Sequence, residues 1–217
     1  MNFFGHAVVA TWRSRRPGFV LGAMLPDFAN MLGVRPPEVV HPDLSDGVAF
    51  HHETDRVFHD APTFRRLQLE ARRTLREMGL PRPGALAVGH IGVEILLDGA
   101  LARDAEGVSG YLAALECAGN AELAARIVWN DASLPERFRT LSGVLAERGV
   151  GPGMQTAERV AFRVARALES RPRLRLTGDG ALLVRDWALA SDAAVAAASG
   201  PLIDELRLGL ALSGPPL

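Results

Sequence analysis

Apolar residues along this chain recur every three or four positions in one segment after another, and alternating strand patterns are missing. This pattern predicts an almost entirely helical protein, with breaks at short Pro- and Gly-rich loops. Because the chain has 217 residues, no long linker and no internal repeat, we expect one all-α, multi-helix domain over residues 1–217. The predicted helices are residues 3–14, 18–32, 47–60, 62–78, 84–103, 108–118, 120–130, 134–148, 154–170, 180–198 and 201–212.

The helix predicted at residues 47–60 has two distinct faces. Glu53, Arg56 and Asp60 fall on one side, which is typical of a solvent face. His51, Asp55 and Phe58 fall on the other side, the latter two within about 40 degrees of His51, and are predicted to point inward. A buried histidine and aspartate one turn apart need a partner, which is either a metal ion or a hydrogen bond between the two side chains.

Two further histidines lie on the flanks of this helix. His52 and His59 fall at about 80 to 100 degrees from His51, so either of them can line a pocket from the side. The doublet His59-Asp60 matches the signature of the HD hydrolases, but Asp60 belongs to the solvent face. The doublet by itself therefore does not indicate a metal site.

The helix predicted at residues 84–103 carries a second polar stripe. His90, Glu94 and Asp98 follow one another at four-residue steps and cover an arc of about 80 degrees on an otherwise apolar helix. A solvated face would be wider and would include arginine. The stripe is therefore predicted to be buried and paired, as metal ligands or as the partners that orient them.

Composition places the candidate chemistry in the first half of the chain. All six histidines lie within the first 90 residues, where carboxylates accompany them. Imidazole and carboxylate together suit Mn, Fe or Zn. Residues 1–100 are therefore expected to hold a metal site and residues 101–217 to supply supporting helices. All 24 basic residues are arginine, which excludes a Schiff-base or P-loop lysine, and the single cysteine, Cys117, excludes an internal disulfide.

Charge and apolar stretches bear on partners and location. The net charge of −1 does not indicate binding to nucleic acid or to a membrane surface. The apolar stretches are judged too short, or interrupted by Asp192, to span a bilayer, and the N-terminus lacks a secretory pattern, so we expect a cytoplasmic protein. Arginines form a stripe along the helix predicted at residues 62–78, which suits either an acidic partner or plain solvent.

Four motifs, in this order, resemble the acyl carrier protein phosphodiesterase family. They are MNFFGH at the start, LGAMLPDF, GVAFHHETDRVFHD, and a GH pair at residues 89–90 before an apolar helix. The resemblance covers about residues 1–100. That family is an unusual branch of the HD phosphohydrolases, so the resemblance implies an all-helical fold of that type and dependence on a divalent metal, most often manganese, with Fe, Zn or Mg as alternatives.

The resemblance also implies an activity and a set of residues. The family hydrolyses a phosphodiester and so removes 4'-phosphopantetheine from acyl carrier protein, which makes a carrier protein or another phosphodiester the expected substrate. Metal binding is carried over to His6, Asp27, His51, Asp55 and His90. His59 or Glu94 is then expected to move a proton, with Asp55 among the catalytic residues.

The chain also departs from the family pattern. Gly89 stands where the family has an aspartate, and Phe58-His59 stands where it has Thr-Asp. Replacing an oxygen ligand by a nitrogen ligand favours iron or zinc. Two alternatives therefore stay open, namely a di-iron oxygenase on an HD-like fold and a metal- or carrier-protein-binding module without turnover.

Overall fold

A computed structural model describes residues 1–151 and 156–212 of the chain. Within these residues it contains ten helices and one pair of two-residue strands, so the predicted all-α class is confirmed. The helices are α1 (Phe3–Arg13), α2 (Pro17–Leu32), α3 (Pro42–Asp60), α4 (Pro62–Glu77), α5 (Arg82–Leu101), α6 (Ala105–Cys117), α7 (Ala121–Ala124), α8 (Leu134–Arg148), α9 (Ala157–Leu168) and α10 (Gly180–Gly209). The strands β1 (Glu38–Val39) and β2 (Ile127–Val128) pair antiparallel.

The structure differs from the predicted helices in three places, the first being α3, which begins at Pro42 and not at the predicted residue 47. The segment predicted as a helix at residues 120–130 holds only the single turn α7, followed by β2, because its backbone pairs with a strand almost 90 residues earlier. The two helices predicted at residues 180–198 and 201–212 form one helix, α10, with Pro201 inside it. The predicted start of the helix at residues 154–170 lies outside the described residues, and α9 begins after the N-cap Thr156.

The chain divides into two compact units, and each combines segments that are distant in sequence. Unit 1 comprises Met1–Val57, Leu101–Gly151 and the described residues from Arg207 onward. Unit 2 comprises Phe58–Ala100 and the described residues from Thr156 to Leu206. Both units take residues from both halves of the chain. The single-domain organisation stays a prediction.

Unit 1 brings α1, α2 and α3 into close contact. Asn2 caps α1 by accepting hydrogen bonds from the backbone N–H groups of Phe4 and Gly5. Helices α2 and α3 cross at Gly22 and Gly47, where a Cβ on Gly47 would lie 2.1 Å from the backbone oxygen of Phe19. Only glycine permits this distance, so two missing side chains determine how closely the helices approach.

Unit 2 is organised around α5, which contacts three other helices. Gly89 faces the backbone of α4, where a Cβ would lie 3.3 Å from the nitrogen of Arg72. One turn further on, Gly92 packs against the ring of the fully buried Trp187 from α10. Asp98 is 1% exposed and pairs at 2.8 Å with Arg163 of α9. Small residues and one buried ion pair therefore determine which parts of α5 meet its neighbours.

Helix α5 is also long and apolar enough to cross a membrane, judged by length and composition alone. This differs from the expectation that every apolar stretch of the chain is too short. Its most apolar 18-residue window is 72% buried inside the protein. The composition of α5 thus agrees with its position as a core helix.

Candidate metal centre

Three helices of unit 1 bring two histidines and an aspartate together. His6 of α1, Asp27 of α2 and His51 of α3 each offer one ligand atom, and the three atoms lie within 4.8 Å of one another. His6 is 1% and His51 5% exposed, whereas Asp27 is only half-buried. We call these three residues the unit 1 cluster. Its members are imidazoles and a carboxylate, the donors that Mn, Fe and Zn accept.

His51 is held in the form that a metal ligand requires. Its Nδ1 lies 2.9 Å from the carbonyl oxygen of Ala23, so Nδ1–H donates to that oxygen and Nε2 carries the lone pair. Burial and the neighbouring His6 lower the pKa of His51 to about 3. The ring is therefore neutral at physiological pH, and a metal ion need not displace a proton from it.

His6 is oriented by Asp55, one turn after His51 on α3. The Nε2 of His6 lies 3.2 Å from Oδ1 of Asp55, and the ammonium group of Met1 lies 2.8 Å from the same oxygen. Burial would raise the pKa of Asp55, but the hydrogen bond with His6 and the ammonium charge hold that pKa well below its usual range. Asp55 is thus ionised and accepts the Nε2–H of His6, so Nδ1 is the ring nitrogen that would bind a metal ion.

Both histidines of the unit 1 cluster therefore have one ring nitrogen engaged by an acceptor of this chain. A backbone carbonyl holds His51 and a carboxylate holds His6. Metal-binding histidines almost always show this arrangement, because the outer partner determines the tautomer and the ring orientation. The rings are stacked with centroids 3.8 Å apart, a distance at which two imidazolium charges would repel each other. The donor set thus fits a divalent metal.

A second group of ligand atoms lies in unit 2. His59 from the end of α3, together with His90 and Glu94 from α5, again places three ligand atoms within 4.8 Å of one another. Oε1 of Glu94 lies 3.1 Å from Nε2 of His90 and 3.6 Å from Nε2 of His59. Burial would raise the pKa of Glu94, but its interactions with His59 and His90 keep that pKa well below its usual range. We call these residues the unit 2 cluster.

The residues carried over as a single ligand set thus fall into two clusters. His6, Asp27, His51 and the adjacent Asp55 belong to unit 1, whereas His90 is grouped with His59 and Glu94 in unit 2. Asp55 orients His6 and is not part of the three-residue group. The proton-transfer roles of His59, Glu94 and Asp55 stay predictions.

Other residues considered from the sequence have different positions. Asp98 pairs with Arg163, which satisfies its charge without a metal. His52 is exposed, and neither it nor His41 belongs to a cluster among the described residues. Gly89 lies against the backbone of α4, so the Cβ of an aspartate at this position would make a tight contact, 3.3 Å from the nitrogen of Arg72.

Sequence reasoning missed three partners of the candidate ligands. The carbonyl of Ala23 holds His51, the amide of Gln68 lies 2.6 Å from Nδ1 of His90, and Arg163 neutralises Asp98. Each is more than 20 residues from its partner in sequence. A backbone carbonyl, a glutamine and an arginine carry no local signal, because only the packing of helices selects them.

Comparisons with known proteins return no match: no family model, no curated protein and no solved structure matches this chain. The resemblance to the acyl carrier protein phosphodiesterases therefore stays a prediction, based on the motifs of residues 1–100.

Proposed function

We propose that this protein is a metal-dependent hydrolase of phosphodiesters, with a divalent ion bound by the unit 1 cluster. The observation that carries the metal is the double orientation of His6 and His51, each held through its other ring nitrogen. The reaction class is supported separately, by the order of the motifs that contain His6, Asp27, His51 and Asp55. Manganese is the metal we propose first.

The protein's own residues would prepare the site as follows. Ala23 and Asp55 each hold one ring nitrogen of His51 and of His6, so the rings need little reorientation when an ion enters. Asp27 contributes negative charge, which offsets part of the charge of the ion. A bound ion would supply Lewis-acid activation of water and would neutralise charge on a phosphoryl oxygen.

Access to the site follows from the uneven burial of its members. His6 and His51 are buried, whereas Asp27 is half-buried and the side chain of Asp55 is 36% exposed. The two carboxylates therefore mark the side that faces water, and a substrate would approach from there. This unevenness suits an enzyme site, because a closed structural metal site would exclude substrate.

The finer proposal concerns the substrate, for which we propose the phosphopantetheine arm of an acyl carrier protein. Its support is the motif resemblance together with the arginines on α4. Among the described residues, Arg66 and Arg73 pair with Glu70 and Glu77, whereas Arg72 and Arg76 make no ion pair. Carrier proteins are acidic, so these two arginines offer the charge that such a partner needs.

The test compares three single substitutions. We expect His51→Gln and Asp27→Asn to lower manganese affinity and hydrolysis of bis(4-nitrophenyl) phosphate by about 100-fold, since each removes a ligand. His52→Gln, which changes the exposed neighbour of His51, should leave both within about 2-fold. Metal content is measured after dialysis, and hydrolysis is measured on the diester and on holo acyl carrier protein.

The outcomes separate the parts of the proposal. If His51→Gln and Asp27→Asn keep both metal and activity, the unit 1 cluster is not the site. If the wild-type protein binds metal here but hydrolyses neither substrate, a binding module without turnover is the better description. Hydrolysis of the diester without hydrolysis of holo acyl carrier protein would contradict the substrate proposal alone.

A further inference from the structure

We propose that the unit 2 cluster, His59, His90 and Glu94, is a second and independent binding site for a borderline divalent transition metal such as Zn²⁺. This inference does not rest on the proposed function, because it concerns other residues in the other unit. Its first support is the convergence of three donor atoms. Both histidine Nε2 atoms point at the same oxygen, Oε1 of Glu94, from 3.1 and 3.6 Å.

The two nitrogen–oxygen distances are close to the spacing of ligand atoms around a small ion. In a tetrahedral zinc site with bonds of the usual length, neighbouring ligand atoms lie about 3.3 to 3.5 Å apart. The two distances to Glu94 fall on either side of that range, so an ion can enter with small movements of the side chains. Without an ion, Nε2 of His90 lies within hydrogen-bond distance of Oε1 of Glu94.

The chemistry of the donors favours a transition metal over calcium or magnesium. Two imidazole nitrogens and one carboxylate oxygen form a set that zinc and ferrous iron use at sites with an open position. Glu94 is ionised, because its pKa lies well below the usual range, so its negative charge is available to the cation. Calcium and magnesium prefer oxygen ligands alone.

Burial shows where the remaining coordination position lies. Glu94 is 9% exposed and anchors the site on α5, while the side chains of His59 and His90 are each 36% exposed. The partly exposed rings of His59 and His90 place the site near solvent, from which water or a small anion can complete the coordination. Such a site exchanges its outer ligand, unlike a closed structural zinc site.

Gln68 supplies the outer partner that a metal-binding histidine usually has. The nitrogen of its side-chain amide lies 2.6 Å from Nδ1 of His90, on the ring edge opposite to Nε2, and donates to it in the metal-free form. Because an amide can turn to present its oxygen, it can accept Nδ1–H and leave the Nε2 lone pair for the ion.

Phe64 further restricts the two imidazole rings. The rings of His59 and His90 lie nearly parallel, with an interplanar angle of 8° and centroids 5.1 Å apart, and both meet the ring of Phe64 edge-on. A histidine with restricted rotation loses less entropy when it binds an ion. The site is thus largely formed before metal arrives.

The experiment measures Zn²⁺ stoichiometry and affinity in four forms of the full-length protein: wild type, Glu94→Gln, His59→Gln and His52→Gln. Each protein is stripped with a chelator and titrated with Zn²⁺ against a competing indicator dye. We expect Glu94→Gln and His59→Gln each to bind one equivalent fewer than wild type, or to bind that equivalent about 100-fold more weakly. His52→Gln, which removes an exposed histidine outside both clusters, should match wild type.

A second readout separates coordination from a general loss of structure. Glu94→Gln keeps the size of the side chain, and its far-ultraviolet circular dichroism should equal that of wild type. Gln68→Leu should weaken the same equivalent about 10-fold while the Co²⁺ absorption spectrum keeps its shape, since the ligands are unchanged. If Glu94→Gln and His59→Gln fold and bind Zn²⁺ with wild-type stoichiometry and affinity, the proposal is wrong. Because each comparison is with wild type, the result does not depend on whether the unit 1 cluster binds metal.

Discussion

At the scale of single residues, the local environment decides what each histidine can do. His51 and His52 are neighbours in sequence, yet His51 is 5% exposed and donates to Ala23, whereas His52 is exposed. Burial and the adjacent His6 lower the pKa of His51 to about 3, against an ordinary value of 6.5. The difference between these values makes stability depend on pH.

We expect the metal-free protein to lose stability as the pH falls from about 6.5 toward 3. In this range His51 binds a proton in the unfolded chain but stays neutral in the folded protein. Each pH unit therefore lowers the free energy of unfolding by about 1.4 kcal/mol. Between pH 6.5 and 4.5 this amounts to about 2 to 3 kcal/mol. Urea unfolding of wild type, His51→Gln and His52→Gln at several pH values measures the effect.

The expected result is a difference in slope. His51→Gln should lose less stability with falling pH than wild type, because glutamine binds no proton in the unfolded chain. His52→Gln should show the same pH dependence as wild type. Equal pH dependence in all three proteins would show that His51 accepts a proton in the folded state, against the environment described here.

At the scale of elements, close helix crossings position the clusters. Helices α2 and α3 meet through Gly22 and Gly47, and this approach brings the ring of His51 within reach of the carbonyl of Ala23. In unit 2 the contact of Gly89 with α4 has a corresponding effect, because Gln68 and His90 lie on the same two helices. Glycines at these helix contacts thus determine how close the helices that carry the candidate metal ligands lie to their neighbours.

We expect Gly47→Ala to destabilise the protein by about 1 to 3 kcal/mol and to weaken metal binding at the unit 1 cluster. The added Cβ would lie 2.1 Å from the backbone oxygen of Phe19, so the two helices must separate. Gly143→Ala on α8 is the matched control: nothing lies within 4 Å of its new Cβ, and alanine should stabilise that helix by up to about 1 kcal/mol. Thermal unfolding and Mn²⁺ titration of both variants provide the measurement. If the Gly47→Ala protein is as stable as wild type, the helices can accommodate a Cβ at this crossing and the prediction is wrong.

At the scale of the whole molecule, charge determines how a partner could be recognised. The net charge of −1 supplies no general attraction, so an acidic carrier protein would depend on a local basic surface. On α4, Arg72 and Arg76 are the arginines without an ion pair among the described residues.

We expect the double variant Arg72→Glu/Arg76→Glu to bind holo acyl carrier protein about 10-fold more weakly than wild type, with a smaller dependence on salt. Arg148→Glu, which reverses an exposed charge on α8, should have little effect. Binding is measured by calorimetry at low and high salt. If the affinity for holo acyl carrier protein changes neither with salt nor in the double variant, α4 is not the docking surface.

The sequence predicted the secondary structure well where local forces dominate. The 3.6-residue periodicity predicts α1, α2, α4 and α8 to within two residues at each end, because an amphipathic helix depends on side chains three and four positions apart. It failed at β1 and β2, which depend on pairing between distant segments. It also divided α10 at Pro201, where the helix continues through the proline.

The candidate sites divide in the same way. The sequence by itself determined that His51 and Phe58 point inward, that Asp60 and Arg56 face solvent, and that Glu94 and Asp98 are buried and paired, since all of this follows from position around one helix. Asp55 and His90 were predicted to be buried as well, but the side chain of each is 36% exposed. Only the tertiary structure decided which partners meet: Asp98 with Arg163, His90 with Gln68, and the division of the histidines into two clusters. The physical reason is that a helix pattern determines the direction of a side chain, whereas its neighbour depends on how separate helices cross.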